Sequence, residues 1–393
     1  MHFPKLATVF IILILSAALI LSGCSSAAPT PSQKPATSAP PQTSTTAAPP
    51  PASTTAAPPA SSTPAANPLV QAAIKEGTLN WIDAVVDAGS AQKMIAAFKL
   101  ANGLPDSFQV KQEQLGTGPL ASRVGEEVKA GKITIDLFAI ADPALFYDLK
   151  AANVLLPYDS PEYKNYTKAR AAGLTYEPGY WQSCIAYCFA PITNPKFYAK
   201  PVASWTDLLA TDLKGQKIEW PTPASSQSAL YAYIMLKSVL PPTYFADLAK
   251  QNPTSGTSSQ QQTANISQGQ SLVTITNPFR IVQTTAQTGI ALSAWFPKEG
   301  VPVMGHAYGI LTQSPHPNAA KLFIDWLYGP QGMKMYIDLV SPIAIRDGSV
   351  VPDAVKVYSP PLDQIKAIPV DWKSLNSATL DKYRTESVQI FGK

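Results

Sequence analysis

Between Thr78 and Asp142 the chain alternates short apolar runs with helix-period segments. Thr78 to Val86, Phe108 to Leu115 and Ile133 to Ala141 read as strands. A helix follows each of them. Ser90 caps the first helix, with Met94, Ile95, Phe98 and Ala101 on one face and Asn102-Gly103 as its stop. Leu120, Val124 and Val128 share a face of the second, which ends at Gly131, and Asp142-Pro143 opens the third. Strands and helices at this spacing imply an α/β fold with a parallel sheet covered on both faces. In such sheets ligands sit outside the C-terminal strand ends. That rule puts Asp83, Thr117, Gly118 and Asp142 near an opening. The two aspartates are equally suited to capping the helices that follow. Gly116 to Ala121 superficially matches GxGxxA, but no suitably placed acidic residue ends a following strand. The run reads instead as a glycine turn with Pro119 at the first helical position.

A second set of elements follows. Tyr180 to Ile192 reads as one strand carrying Cys184 and Cys188 on a shared face. Four extended residues span about 13 Å, too far for a disulfide, so buried thiols, a bridge across a turn, or a redox or metal pair remain open. Thr222, Ser225 and Ser226 stand where a helix opens toward Val239, and hydroxyls there either cap it or reach ligand oxygens. Asn252 to Gln262 is a polar surface loop. Strand Leu272 to Thr276 leads to Asn277, Pro278 and Arg280 at its ligand-facing end. Ile290 to Trp295 returns as a strand, and Trp295, His306 and Tyr308 are candidates to face the same opening. A lone histidine such as His306 is more often a satisfied structural residue than a ligand contact.

In Ser314 to Gly332, SPHPNAAKLFIDWLYGPQG, two prolines forbid a helix running in and Asn318 caps a new one. Leu322, Phe323, Trp326 and Leu327 paint one face, and Tyr328-Gly329-Pro330 breaks it before a second helix through Val340. This stretch resembles the late helix pair of bacterial extracellular solute-binding proteins, the receptors of ABC importers. "ASRVGEEVKAGKITIDLF", "SWTDLL", "LKGQKIEWPTP" and "FPKEGVPVMGHAYGIL" resemble the same family, over roughly Asn80 to Arg346. The resemblance implies a two-lobed periplasmic-binding-protein type II fold with an interlobe cleft. Residues 69–183 with about 290–345 would form one lobe and 184–289 the other, the 180–192 strand crossing between them. Residues 346–393 would pack back on the body through a helix near Tyr383, Arg384 and Phe391.

The implied function is domain closure on a small solute and delivery to an ABC permease, by a monomer without cofactor or resident metal. The nearest pattern is that of binders of ferric ion, phosphonates and related solutes. Ferric members commonly use adjacent tyrosines, and this chain offers only Tyr231-Ala232-Tyr233. Hydroxyl and amide groups with Arg280 or His306 suit a small anion or an oxygen-rich solute better. A sensory role, or a surface lipoprotein without a ligand, are the competing readings.

The leader and the composition agree with export. His2 and Lys5 precede an apolar core from Leu6 to Leu21. Leu21-Ser22-Gly23-Cys24 resembles a lipobox, which would place lipid on Cys24; a retained spanning helix is the alternative. Residues 25–68 are Ser, Thr, Ala and Pro with Lys34 as the only charge, a segment with nothing to bury. As polyproline II it would reach on the order of 100 Å. The net charge of +4 with no Lys/Arg run is too weak a balance to argue for a nucleic-acid partner, so none is expected, and three His with three Cys limit any metal site. No GxSxG, HExxH or P-loop occurs, so an enzyme is disfavoured.

Overall fold

The structure is a computed structural model and describes residues 67–392. The leader, Cys24 and most of the tether fall outside the described residues. In chain order the strands are β1 (Thr78–Asp83), β2 (Gln109–Gln114), β3 (Leu137–Ile140), β4 (Tyr176–Glu177), β5 (Trp181–Cys188) and β6 (Ala190–Thr193). They continue with β7 (Ile218–Pro221), β8 (Thr254–Gly256), β9 (Val273–Thr276), β10 (Ser293–Ala294), β11 (Val303–Gly309) and β12 (Ile343–Ala344). Among the described residues they build two sheets. One runs β12-β5-β11-β3-β1-β2 with β4 added on β5, and the other runs β10-β6-β9-β7-β8.

The parallel pairing expected of the first unit is present: β1 lies between β2 and β3, parallel to both. The second sheet repeats the device, with β7 parallel to β8 and β9. The continuous strand expected over 180–192 is instead two strands, and Phe189 between them carries the chain from one sheet to the other. It returns just before β11, where the Phe189 N–H donates to the Pro302 carbonyl at 3.1 Å. Two crossings therefore lie side by side. Cys184 and Cys188 are free thiols buried on β5. Burial raises both pKa values, that of Cys188 to about 12, which suits inert apolar thiols.

The helix pair seen in the sequence docks on the first sheet. Helix Pro317–Tyr328 presents Phe323 to Trp81 at 4.8 Å and to Phe98 at 5.1 Å between ring centroids. Its start differs from the expectation. His316, not Asn318, is the N-cap, and its side chain makes no bond to the helix start. The open N–H groups of Asn318 and Ala319 are met instead by Glu76, at 3.1 and 2.7 Å, from helix Pro68–Glu76. A carboxylate brought from another helix does what a local cap does, and its charge suits that end of the dipole. Likewise Asp87, not Ser90, caps helix Ala88–Ala101. The C-terminal helix runs over Ser377–Phe391.

Helix Pro330–Val340 folds back at Gly329-Pro330 so tightly that Gly332 has no room for a side chain. A Cβ there would collide with the Trp326 carbonyl and the Leu327 backbone. Backbone cannot retreat as a side chain end does. Gly332→Ala is expected to cost about 2–3 kcal/mol, read as a lowered midpoint in thermal or denaturant unfolding.

Candidate functional site between the sheets

Each parallel strand ends in a loop that opens a helix, and the loops of the two sheets meet. From the first sheet come residues 84–87, 115–116 and 141–142; from the second come 222–226, 257–258 and 277–278. Three contacts join them. A Cβ at Gly118 would stand 2.7 Å from the Ser225 carbonyl, so glycine alone permits this approach. The Tyr231 hydroxyl, on helix Gln227–Val239, donates to Asp142 Oδ1 at 2.6 Å. Arg280 Nη2, in the first turn of helix Phe279–Thr288, donates to the Val85 carbonyl at 3.1 Å.

A cavity of about 740 Å³ lies on the Arg280 side, with Asp87, Ser90 and Lys93 of the first lobe facing Thr263, Arg280, Gln283 and Gln287 of the second. Its walls are rich in hydroxyl and amide groups. Arg280 is 5% exposed, and its Nε has no hydrogen-bond partner among the described residues. Nη1 is held by Gln283 at 3.1 Å. Burial lowers the guanidinium pKa, and Asp87 opposes that shift. A smaller opening of about 440 Å³ lies on the other side, between Gly118, Ser122, Ser225 and Arg384.

The residues singled out in the sequence divide between this meeting place and the interior. Thr117 opens helix Thr117–Ala130 next to Gly118. Ser225 faces Gly118 through its backbone, and Ser226 caps its own helix. Thr222 donates to the Gly256 carbonyl at 3.3 Å, within the second lobe. Asn277 bonds the Cys188 carbonyl at 3.0 Å and the Ser259 hydroxyl at 2.6 Å, which ties the β9 loop to the crossing.

Asp83, His306 and Tyr308 lie together in the first lobe's core, all three completely or almost completely buried. Asp83 accepts from the Tyr308 hydroxyl at 2.7 Å and from the N–H groups of Val85 and Val86. His306 Nε2 is 3.3 Å from Asp83 Oδ1. Trp295 points away along the second sheet, its indole donating to Thr193 at 3.0 Å. Tyr231 and Arg384 are not legible as candidate site residues, because each reaches the opening from a distant segment, whereas Asp87 lies in the loop directly after β1, where sequence reasoning singles out Asp83 and misses it.

Asp142 also caps helix Pro143–Ala151, so both readings of this residue hold at once. Burial raises its pKa above the ordinary 3.8, against the lowering effect of the Tyr231 hydroxyl and the Leu145 N–H. An acid raised by folding favours the folded state while protonated, and that contribution fades as pH climbs through the raised value. Unfolding of wild type and Asp142→Asn, compared from pH 3.5 upward, should therefore show wild type losing ground across the carboxylate range. Above it the difference should level off.

A family model described as bacterial extracellular solute-binding protein matches residues 93–359, well over half of the chain. No curated protein sequence matches it. Among solved structures, iron-bound HitA from Pseudomonas aeruginosa superposes with a TM-score of 0.65 at 16% identity, over 80% of this chain and 99% of that one. AfuA from Actinobacillus pleuropneumoniae, a periplasmic binding protein with exogenous fructose-6-phosphate bound, reaches 0.67 at 16% identity, over 80% and 99%. The ferric binding protein from Campylobacter jejuni reaches 0.62 at 16%, over 80% and 98%. At that identity the likeness speaks to the fold, which is the two-lobed type II arrangement of periplasmic binding proteins. On the family match, the chain belongs to the bacterial extracellular solute-binding proteins, which bind their substrates without transforming them.

Proposed function

We propose that this protein is a membrane-tethered receptor that closes on a small, oxygen-rich anion and delivers it to an ABC permease. The observation that carries the ligand class is Arg280. A guanidinium this buried, with Nε–H unused, costs free energy until an acceptor arrives. A carboxylate or phosphoryl oxygen meets that need with a charge-assisted bond. The surrounding Ser, Thr and Gln side chains suit the hydroxyls of such a solute, and the start of the Phe279 helix carries no side-chain cap.

The fold neighbours include binders of iron and of fructose-6-phosphate, and this donor set leans toward the second chemistry. Tyr231 and Tyr233, two residues apart on a helix, point to different partners. Their hydroxyls are committed to Asp142 and Glu386, each at 2.6 Å. A tyrosine pair for a ferric ion would have to abandon both bonds. The tether reading keeps Cys24 as the lipid-bearing residue, holding the folded part outside the membrane.

Thermal-shift measurements against sugar phosphates, phosphonates, inorganic oxyanions, ferric ion and polyamines test this. A phosphorylated or phosphonate solute at a hundred times its Kd should add about 2.7 kcal/mol of stability. Arg280→Gln should weaken that solute about 10- to 100-fold. A response to ferric ion alone, unaltered in the variant, would contradict the ligand class. Cys24→Ser should move the protein from the membrane fraction to the medium or the soluble extracytoplasmic fraction.

A further inference from the structure

Residues 360–392 lie beyond the stretch matched to the family, and their contacts alternate between the lobes. Beside the crossings, Val301 exchanges backbone bonds with this segment, its N–H donating to the Lys366 carbonyl at 2.9 Å and its carbonyl accepting from the Ile368 N–H at 3.0 Å. Trp372 then donates to the Gly173 carbonyl of the first lobe at 3.2 Å. Its ring stands edge-on to Tyr231 at 5.4 Å, covering the residue that bridges the lobes to Asp142. Lys373 pairs with Glu177 at 3.7 Å, and Ser377 donates to Asp148 at 3.1 Å, both again in the first lobe.

Ser377 opens the last helix, and that helix ends on the other lobe. Arg384 donates to the carbonyls of Pro223 and Ala224 at 2.8 and 3.1 Å and to Gln227 at 2.7 Å. Glu386 accepts from Tyr233 and pairs with Lys237, and Phe391 stacks on Trp220 at 6.2 Å. One continuous helix, about 22 Å long at 1.5 Å per residue, thus has its first turn on one lobe and its last two on the other.

We propose that residues 360–392 form a strap that biases the two lobes toward the closed arrangement and thereby sets the affinity of the cleft. A rigid helix footed on both lobes cannot follow them as they separate. Any motion that parts Asp142 from Tyr231 must release one footing. The polar contacts on the first lobe are mostly exposed and individually weak, so that end lets go first. The strap therefore restrains opening without forbidding it. Any factor by which it favours closure passes directly into the apparent Kd. The inference needs two lobes that part, and it does not depend on which solute they hold.

Interlobe distances in the full chain test it, measured by pulsed electron spin resonance without solute. Spin labels on noncanonical residues at exposed Lys129 and Lys250 report one lobe each. Wild type should give a dominant short-distance population with a minor longer-distance one. Lys373→Ala/Ser377→Ala, which removes only peripheral side chains from the first-lobe footing, should raise a longer-distance population about fivefold. Arg384→Ala/Glu386→Ala should do the same from the other end. If both double variants keep the wild-type distance distribution, even with a lowered melting temperature, the segment is packing alone and the strap is refuted. A failed Arg280→Gln binding test leaves this result untouched.

Discussion

The Phe189 N–H bonded to the Pro302 carbonyl, at 3.1 Å, marks where the chain leaves the first sheet and where it returns. Because β5 pairs with β11 on one side and β6 with β10 on the other, the two crossings stay together. That constraint decides the rest of the architecture. Each sheet keeps its own parallel strands, one hydrophobic cluster continues from the first to the second, and both turn their C-terminal strand ends toward the same space. Short adjacent crossings of this kind absorb backbone rotation while the packed lobes move as bodies. The space between the sheets is a consequence of where they are joined.

Two aspartates at the ends of parallel strands meet opposite fates. Burial pushes the Asp83 carboxyl up, but the adjacent His306 ring, the Tyr308 hydroxyl and the Val86 N–H outweigh it, and its pKa is lowered. Asp83 is an anchor within one lobe. It holds the N–H groups of Val85 and Val86, and so fixes the carbonyl that Arg280 reaches from the other lobe. At Asp142 burial prevails, and the partner is a tyrosine of the opposing lobe. Separation of the lobes would expose that carboxyl to water, where its ionised form is favoured. The same residue type thus serves as a post within one lobe in one place and as a contact between the lobes in another.

Much of this fold is legible in the residues. Apolar runs alternating with helix-period segments announce the parallel sheets, and Tyr328-Gly329-Pro330 marks the break between the late helices. What is not legible has physical causes. Asp83, His306 and Tyr308 are expected at the opening, yet the first sheet is covered on both faces and all three are closed into the interior of the first lobe. Asn318 looks like a cap, but Glu76 comes from over two hundred residues away to do that work. The strap has no local signature, because its meaning lies in which lobe each side chain reaches. Arg280, expected just past a strand end, does lie between the lobes, since the loop after β9 turns toward the first sheet.

The central claim is that one small anion sits between the lobes against Arg280. Native mass spectrometry of the protein, mixed with a panel of small phosphorylated and carboxylated solutes together with ferric ion, addresses it directly. The account predicts one solute per chain, identified by its mass as an oxygen-rich anion and lost in Arg280→Ala. Iron as the retained species, or an anion retained equally by that variant, would contradict it.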